Sequence, residues 1–207
     1  MMKLYKLTDK NDQTYGDCQW GEGVTHTADG KGRLCTKHWI HAYTDPILAV
    51  LMNPIHGKYD TDTGHMWECE GEIGRNNRGL KVGCKKLTTI RRIDMPRITI
   101  EQRVRFAILC SKKVCKNRTW TKWANGWLNG KNKTADAVYT TLYATGTAAH
   151  AATLAASGVA GADIQAAYAA VYTVYTTNVA DINLTKIAQN VSDINLIKIA
   201  HKAVKGD

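Results

Sequence analysis

The stretch Met66-Trp67-Glu68-Cys69-Glu70-Gly71-Glu72 decides how the chain is read. Apolar and acidic residues alternate along it. In an extended chain Trp67 and Cys69 then share one face, and Glu68, Glu70 and Glu72 share the other. That is the pattern of a half-buried strand. Outward toward the C-terminus, Leu80-Lys81-Val82-Gly83-Cys84 and Leu87-Thr88-Thr89-Ile90-Arg91-Arg92-Ile93 read as two more strands, and Pro96 closes this β-rich part. Toward the N-terminus, Leu4-Tyr5-Lys6-Leu7 reads as a short strand that ends in the polar run 8–13. Gly21-Glu22-Gly23 and Asp29-Gly30-Lys31-Gly32 carry turn chemistry. Between them and the central strand, Asp45 can cap a helix that Pro46 begins, because proline suits the first helical position. The helix is expected to run through Met52 and to stop after Asn53, before Pro54.

Beyond Pro96 the period changes. Thr99-Ile100-Glu101-Gln102 has the spacing of a capping box. Ile100, Val104, Ala107, Ile108, Ser111 and Cys115 follow as a stripe at helical spacing. A second helix is expected over 119–128, with Trp120, Trp123 and Trp127 on one face and Asn129-Gly130 as its stop. From Thr134 onward the composition shifts to alanine, 19 of them in 74 residues, interrupted by Gly146, Gly158 and Gly161. Helical segments are expected there. Near the end, 179–188 recurs as 191–200 with a period of 12 residues. A solenoid needs about 20 or more per repeat, so this is a local duplication. Asp181 and Asp193 are the expected N-caps of two short helices.

The expected fold class is therefore α+β: a small, mainly antiparallel sheet with helices, followed by an alanine-rich helical C-terminal part. The expected domains are 1–98, the β-rich part; 99–133, a basic helical segment; and 134–207, the tail.

Charge supports this division. The formal net charge is +10, and it is unevenly placed. Residues 1–98 hold 15 Lys/Arg against 12 Asp/Glu, residues 99–133 hold 9 against 1, and residues 134–207 hold 4 against 5. An excess confined to 35 residues can attract phosphates or an acidic protein face. Arg103, Arg105, Lys112, Lys113, Lys116, Arg118 and Lys122 are the candidate binding surface. The opening residues lack an apolar core and a cleavage site of the secretory kind, which reads as a cytoplasmic chain, and the six cysteines then read as reduced thiols. No run approaches the roughly 18 apolar residues of a membrane span.

Chemistry-bearing clusters are sparse. Cys35, His38 and His41 carry metal-ligand chemistry, with Cys18 or His26 as a fourth donor, but their spacing fits no common zinc module. On a strand, His38 and His41 would also face opposite ways. Glu68, Glu70 and Glu72 could serve as acid–base groups, or form a solvated face. There is no nucleotide-binding glycine loop and no nucleophile elbow. No catalytic residue, metal or cofactor is therefore assigned. The three tryptophans could stack bases beside Arg118 and Lys122; packing against the sheet or the tail is the alternative that large apolar surfaces favour. Tyr168, Tyr172 and Tyr175, at i, i+4 and i+7, suit self-association or intramolecular docking of the tail.

Lys3-Leu4-Tyr5-Lys6-Leu7-Thr8, Asn53-Pro54-Ile55-His56, Trp67-Glu68-Cys69-Glu70-Gly71, Leu87-Thr88-Thr89-Ile90 and Glu101-Gln102-Arg103-Val104-Arg105-Phe106-Ala107-Ile108-Leu109-Cys110 resemble an uncharacterised family of small proteins of tailed phages and prophages, which also carry alanine-rich extensions. The resemblance covers about two thirds of the chain. It implies a phage origin and action in the host cytoplasm, but no activity. Residues 34–53 also resemble the strand and helix that bind NAD in ADP-ribosyltransferase folds. That likeness would place His41 and Tyr43 on the NAD strand, with Glu68 or Glu70 as the acid; Lys81-Val82 stands where the family has its catalytic glutamate. The expected function is thus a non-enzymatic phage accessory protein. It would bind a host protein or protein–nucleic acid complex and inhibit or modulate a defence or nucleic-acid machine. An NAD-using transferase and a phage structural protein that self-assembles through the tail are the alternatives.

Overall fold

A computed structural model of the protein describes residues 2–131, 151–152, 156, 164–166, 168–170, 172 and 194–206. The fold is α+β with an antiparallel sheet. The chain divides into two compact units, Met1–Arg97 and Ile98–Asp207. The glycines 146, 158 and 161, the first copy of the duplication, Asp181, Asp193 and Tyr175 lie outside the described residues.

The first unit is built on a long hairpin. Strand β6 (His65–Asn76) pairs antiparallel with β7 (Val82–Ile93). The turn between them places Arg78 and Gly79 at positive φ, and the Asn76 side chain accepts from the Gly79 amide at 2.8 Å. The two strands expected over 80–84 and 87–93 are thus one strand of 12 residues. Exposed Lys85 and Lys86 look like a break in sequence. They sit in the ladder, where register shifts at Glu68/Cys69 and at Glu72/Ile73/Arg75 absorb the mismatch. The alternation of the central strand holds: Trp67, Cys69 and Gly71 are buried, Glu70 and Glu72 exposed.

Strand β1 (Met2–Thr8) pairs with β6, setting Leu4 opposite Cys69. Strands β4 (Thr25–Thr27) and β5 (Ile40–Ala42) pair with successive parts of β7. Just after β5, Tyr43 exchanges two backbone hydrogen bonds with Tyr5 of β1, at 2.8 and 2.9 Å. Strands β1, β6, β7 and β5 therefore close into a ring, which satisfies backbone groups that an open edge would leave unpaired. Its interior holds Leu4, Ala42, Trp67, Cys69, Val82, Cys84 and Leu87, with Trp20 packed in. Trp20 follows the small hairpin of β2 (Gln13–Thr14) and β3 (Cys18–Gln19).

Helix α1 (Pro46–His56) packs against β1. Asp45 caps it, accepting from the Leu48 amide at 2.9 Å. Pro54 does not stop this helix; it lies inside the last turn. Only one donor is lost there, and the exit is held instead by Asn53. Its side chain donates to the Tyr59 carbonyl at 2.7 Å and accepts from the Tyr59 amide at 3.0 Å.

In the second unit, α2 (Ile100–Ser111) opens with the capping box in full: the Gln102 amide reaches Thr99 Oγ1 at 3.2 Å, and the Thr99 amide reaches Gln102 Oε1 at 2.8 Å. Ile100, expected on the apolar stripe, is 55% exposed; it stands in the first turn, ahead of the buried face. Helix α3 (Arg118–Leu128) is capped by Asn117, and Gly130 at positive φ follows its end. Helix α4 (Leu196–Lys205) packs on α2, and Gln102 Nε2 donates to the Val204 carbonyl at 2.9 Å. Its N-cap is Asn195, not Asp193: Asn195 Oδ1 accepts from the Lys198 amide at 2.9 Å.

Candidate basic interface

The buried side of the second unit explains its exposed side. Trp120, Trp123 and Trp127 are 0%, 5% and 4% exposed, and they pack with Val104, Ala107 and Ile108 of α2 and with Ala151, Ala152, Ala166 and Ala169 of the alanine-rich region. Small residues let the tail approach the indole rings closely. The tryptophans are core, so they offer no stacking surface to bases. Trp120 and Trp123 lie 6.1 Å apart between ring centroids. With three large side chains fixing α3 from one side, the other side must face outward.

Helix α2 ends at Ser111, and the chain turns through 112–117 before α3. Lys113, Val114 and Cys115 donate backbone bonds to Cys110 or Ser111, so the turn is ordered. Lys112, Lys113, Lys116, Arg118 and Lys122 are all exposed around it. Lys112 Nζ donates to Asn125 Oδ1 at 2.6 Å, tying the end of α2 to the outer face of α3. Two of the seven expected residues do not belong to this surface. Arg103 is only 7% exposed, and Arg105 is half-buried. Arg103 falls beside Val104 and one turn before Ala107, on the arc that α2 buries.

A second set of cations was hidden by averaging. Lys198, Lys202 and Lys205 form an exposed stripe at i, i+4 and i+7 on α4, while Leu196, Ile199, Ala200 and Ala203 are buried. The tail as a whole is nearly neutral in sequence, so the net count concealed it. The amphipathic spacing of 196–205 was the signal that could have found it. Glu101 is the one carboxylate side chain among the described residues of this unit.

The first unit treats its charges differently. Glu68 meets Lys3 at 2.8 Å and Arg91 at 3.0 Å, and these two contacts hold its carboxyl below the ordinary value. Asp12 accepts from His65 Nδ1 at 2.8 Å, from Trp67 Nε1 at 2.9 Å and from Arg92. Burial pushes its carboxyl up, but these three donors more than offset that and leave it lowered. Arg92 also lies over the Trp67 ring at 5.4 Å. A shallow depression beside this cluster is lined by His65, Arg91, Arg92, Ile93 and Asp94, yet both arginines on its wall are already engaged.

Lys6 is a cation buried against the core of the ring. Lys6 Nζ donates to the His41 carbonyl at 3.0 Å and lies 4.6 Å above the Trp20 ring. Burial lowers its pKa to about 8. It also raises the Cys69 and Cys84 thiols beside it, to about 12 and about 11.

Three residues with candidate metal or NAD roles, His38, His41 and Tyr43, are engaged in place. His38 Nδ1 donates to Asp29 at 2.8 Å, and His41 Nε2 to the Leu34 carbonyl at 2.5 Å. Tyr43, 7% exposed, donates to His56 Nδ1 at 2.9 Å. Burial pushes the Tyr43 hydroxyl up and the His56 imidazole down to about 3, so both are neutral at pH 7. Among the described residues, no group of three or more His, Cys, Asp or Glu is placed to hold a metal ion. No helix among them is long and apolar enough to cross a membrane. The chain matches no protein-family model, no curated protein and no solved structure.

Proposed function

We propose that the protein is a non-enzymatic accessory protein of phage origin that binds an anionic face of a host macromolecular machine, a defence or nucleic-acid complex, and modulates it. One observation carries this reading: Lys112, Lys113, Lys116, Arg118 and Lys122 stand exposed around one ordered helical corner, in a unit whose described residues include a single carboxylate side chain. Cations concentrated on a rigid surface raise the local potential that steers an anionic partner. The resemblance to tailed-phage proteins, on the residues quoted above, supports the setting of a host cell.

The test is capture of partners from host cells with the tagged full-length chain, at low and at moderate salt. A specific complex should co-purify and should be lost when the five exposed residues are changed together to glutamate. Recovery of the same complex by that variant, or a clean preparation at both salt concentrations, would overturn the reading.

A further inference from the structure

We infer that the outer face of α3 enters the major groove of duplex DNA, so that the anionic partner of the basic corner is the duplex itself. This rests on the binding function proposed above and names its ligand.

The inference starts from how α3 is divided. Trp120, Trp123, Ala124 and Trp127 are its buried residues. On an ideal helix, Arg118, Lys122, Asn125 and the following Asn129 fall within an arc of about 60° on the opposite side. All four are exposed. They extend over about 16 Å of axis, the length of roughly five base pairs, and the major groove is wide enough to admit a helix. Three tryptophans anchor the helix from behind, so the face is presented rigidly.

The residue types narrow the partner. An acidic protein surface calls for cations. It gives no reason for Asn125 on the same face, beside Asn129 at the end of the helix. Base edges do: arginine and lysine donate to guanine O6 and N7, and asparagine matches donor and acceptor groups on the purines. Asn125 is also oriented. Lys112 can only donate, so its bond fixes Asn125 Oδ1 toward the lysine and turns the amide NH2 away from it. The face then offers mainly donors, which suits the acceptor-rich edge of guanine. Lys112, Lys113 and Lys116, at the turn before α3, lie where phosphates flank a docked helix, and phosphate contacts set register without reading sequence. No acidic residue occurs between Gln102 and Lys131 to repel the backbone.

The full-length chain would be titrated by fluorescence anisotropy against labelled duplex DNA of random sequence, the same DNA as single strands, and heparin, and then carried through selection from a random duplex pool. The expected result is tighter binding of duplex than of single strands at physiological salt, and a selected site containing guanine. Asn125→Ala should cut the ratio of selected to random duplex affinity roughly tenfold while leaving random duplex binding nearly unchanged. Lys116→Ala should weaken all duplexes alike and reduce the salt slope by about one. Lys10→Ala with Lys37→Ala, two charges removed from the other unit, should change neither the ratio nor the preference for duplex. Thermal melting of each variant separates a lost contact from a lost fold. Equal binding of duplex, single strand and heparin, with no selected sequence, would overturn groove reading. So would capture of a host protein complex that survives nuclease treatment while duplex DNA is not bound; the binding function would still stand. The binding function falls when neither DNA nor any host complex is retained, or when the variant with the five exposed residues changed to glutamate retains them equally.

Discussion

The two units hold similar kinds of side chains and use them in opposite ways. In the first, several charges are paired within the unit: Glu68 between Lys3 and Arg91, Asp12 among Arg92, His65 and Trp67, Asp29 with His38. In the second, the interior is indole against alanine, and apart from buried Arg103 and half-buried Arg105 the cations of the described residues remain outside. A charge that completes a fold is costly to remove, because its partner stays behind without compensation. A charge left on a rigid surface is nearly free to remove as far as folding goes. The difference marks the second unit as the one whose surface is free to engage something else.

The comparison breaks hardest at Trp120. Its side chain is fully buried in the helical unit. Trp120→Ala should cost about 4 kcal/mol. Hydrogen–deuterium exchange should show lost protection in α2 and α3, with the strands of the first unit unchanged. Loss of protection in both units together would mean that they do not hold their stability separately.

The mirror experiment is Asp12→Ala. It leaves the Trp67 indole N–H, His65 and Arg92 without their shared acceptor, and it puts alanine where the backbone has φ of 61°. The expected loss is about 3 kcal/mol, read from urea unfolding, with exchange rising in β6 and β7 and not in α3. A cost under about 1 kcal/mol would show that the cluster is solvated and contributes little.

Acid sharpens the same contrast. His56 is held neutral by burial, down to about 3 from an ordinary value of 6.5, and His41 is lowered by burial as well. Between those limits the unfolded chain binds protons that the folded one does not, so stability falls as pH falls below about 6.5. Allowing for partial exposure, His56 should remove about 2 kcal/mol between pH 7 and 4.5, and His56→Gln should flatten the profile. Lys6 acts at the other end. Its lowered pKa makes stability rise from about pH 8, until the Cys69 and Cys84 thiols, raised in the fold, reverse the trend above about 9. A Lys6→Met variant should lose the rise and keep the fall.

Local patterns were legible in the sequence where they rest on neighbours along the chain. The Thr99 capping box, the Asp45 cap, the alternation around Cys69 and the tryptophan face of α3 are of this kind, because a helix or strand fixes which residues share a side. What could not be read depends on distant pairing. The closure through Tyr5 and Tyr43 joins residues 38 apart. The single long β7 needs bulges that only its partner strand reveals, and Pro54 is tolerated because Tyr59 secures Asn53. The candidate surface was legible as an excess of charge but not as a shape. Burial of Arg103 follows from which arc of α2 meets the core, and the lysines of α4 vanish in a regional sum.

The smallest expected effect bears most directly on the contrast between the units. Lys113, Lys116, Arg118 and Lys122 are exposed, and no ion pair among the described residues involves them. Changing all four to alanine should move stability by less than about 0.5 kcal/mol, since exposed charges without partners contribute little to folding and alanine favours helix. The sign should be slightly stabilising at low salt, because four like charges around one corner repel, and the gain should fade as salt screens them. Chemical denaturation at two ionic strengths would read this. A loss of 2 kcal/mol or more would mean that these side chains complete the fold in the manner of Glu68 and Asp12, and the helical corner would then lose its claim to be an interface.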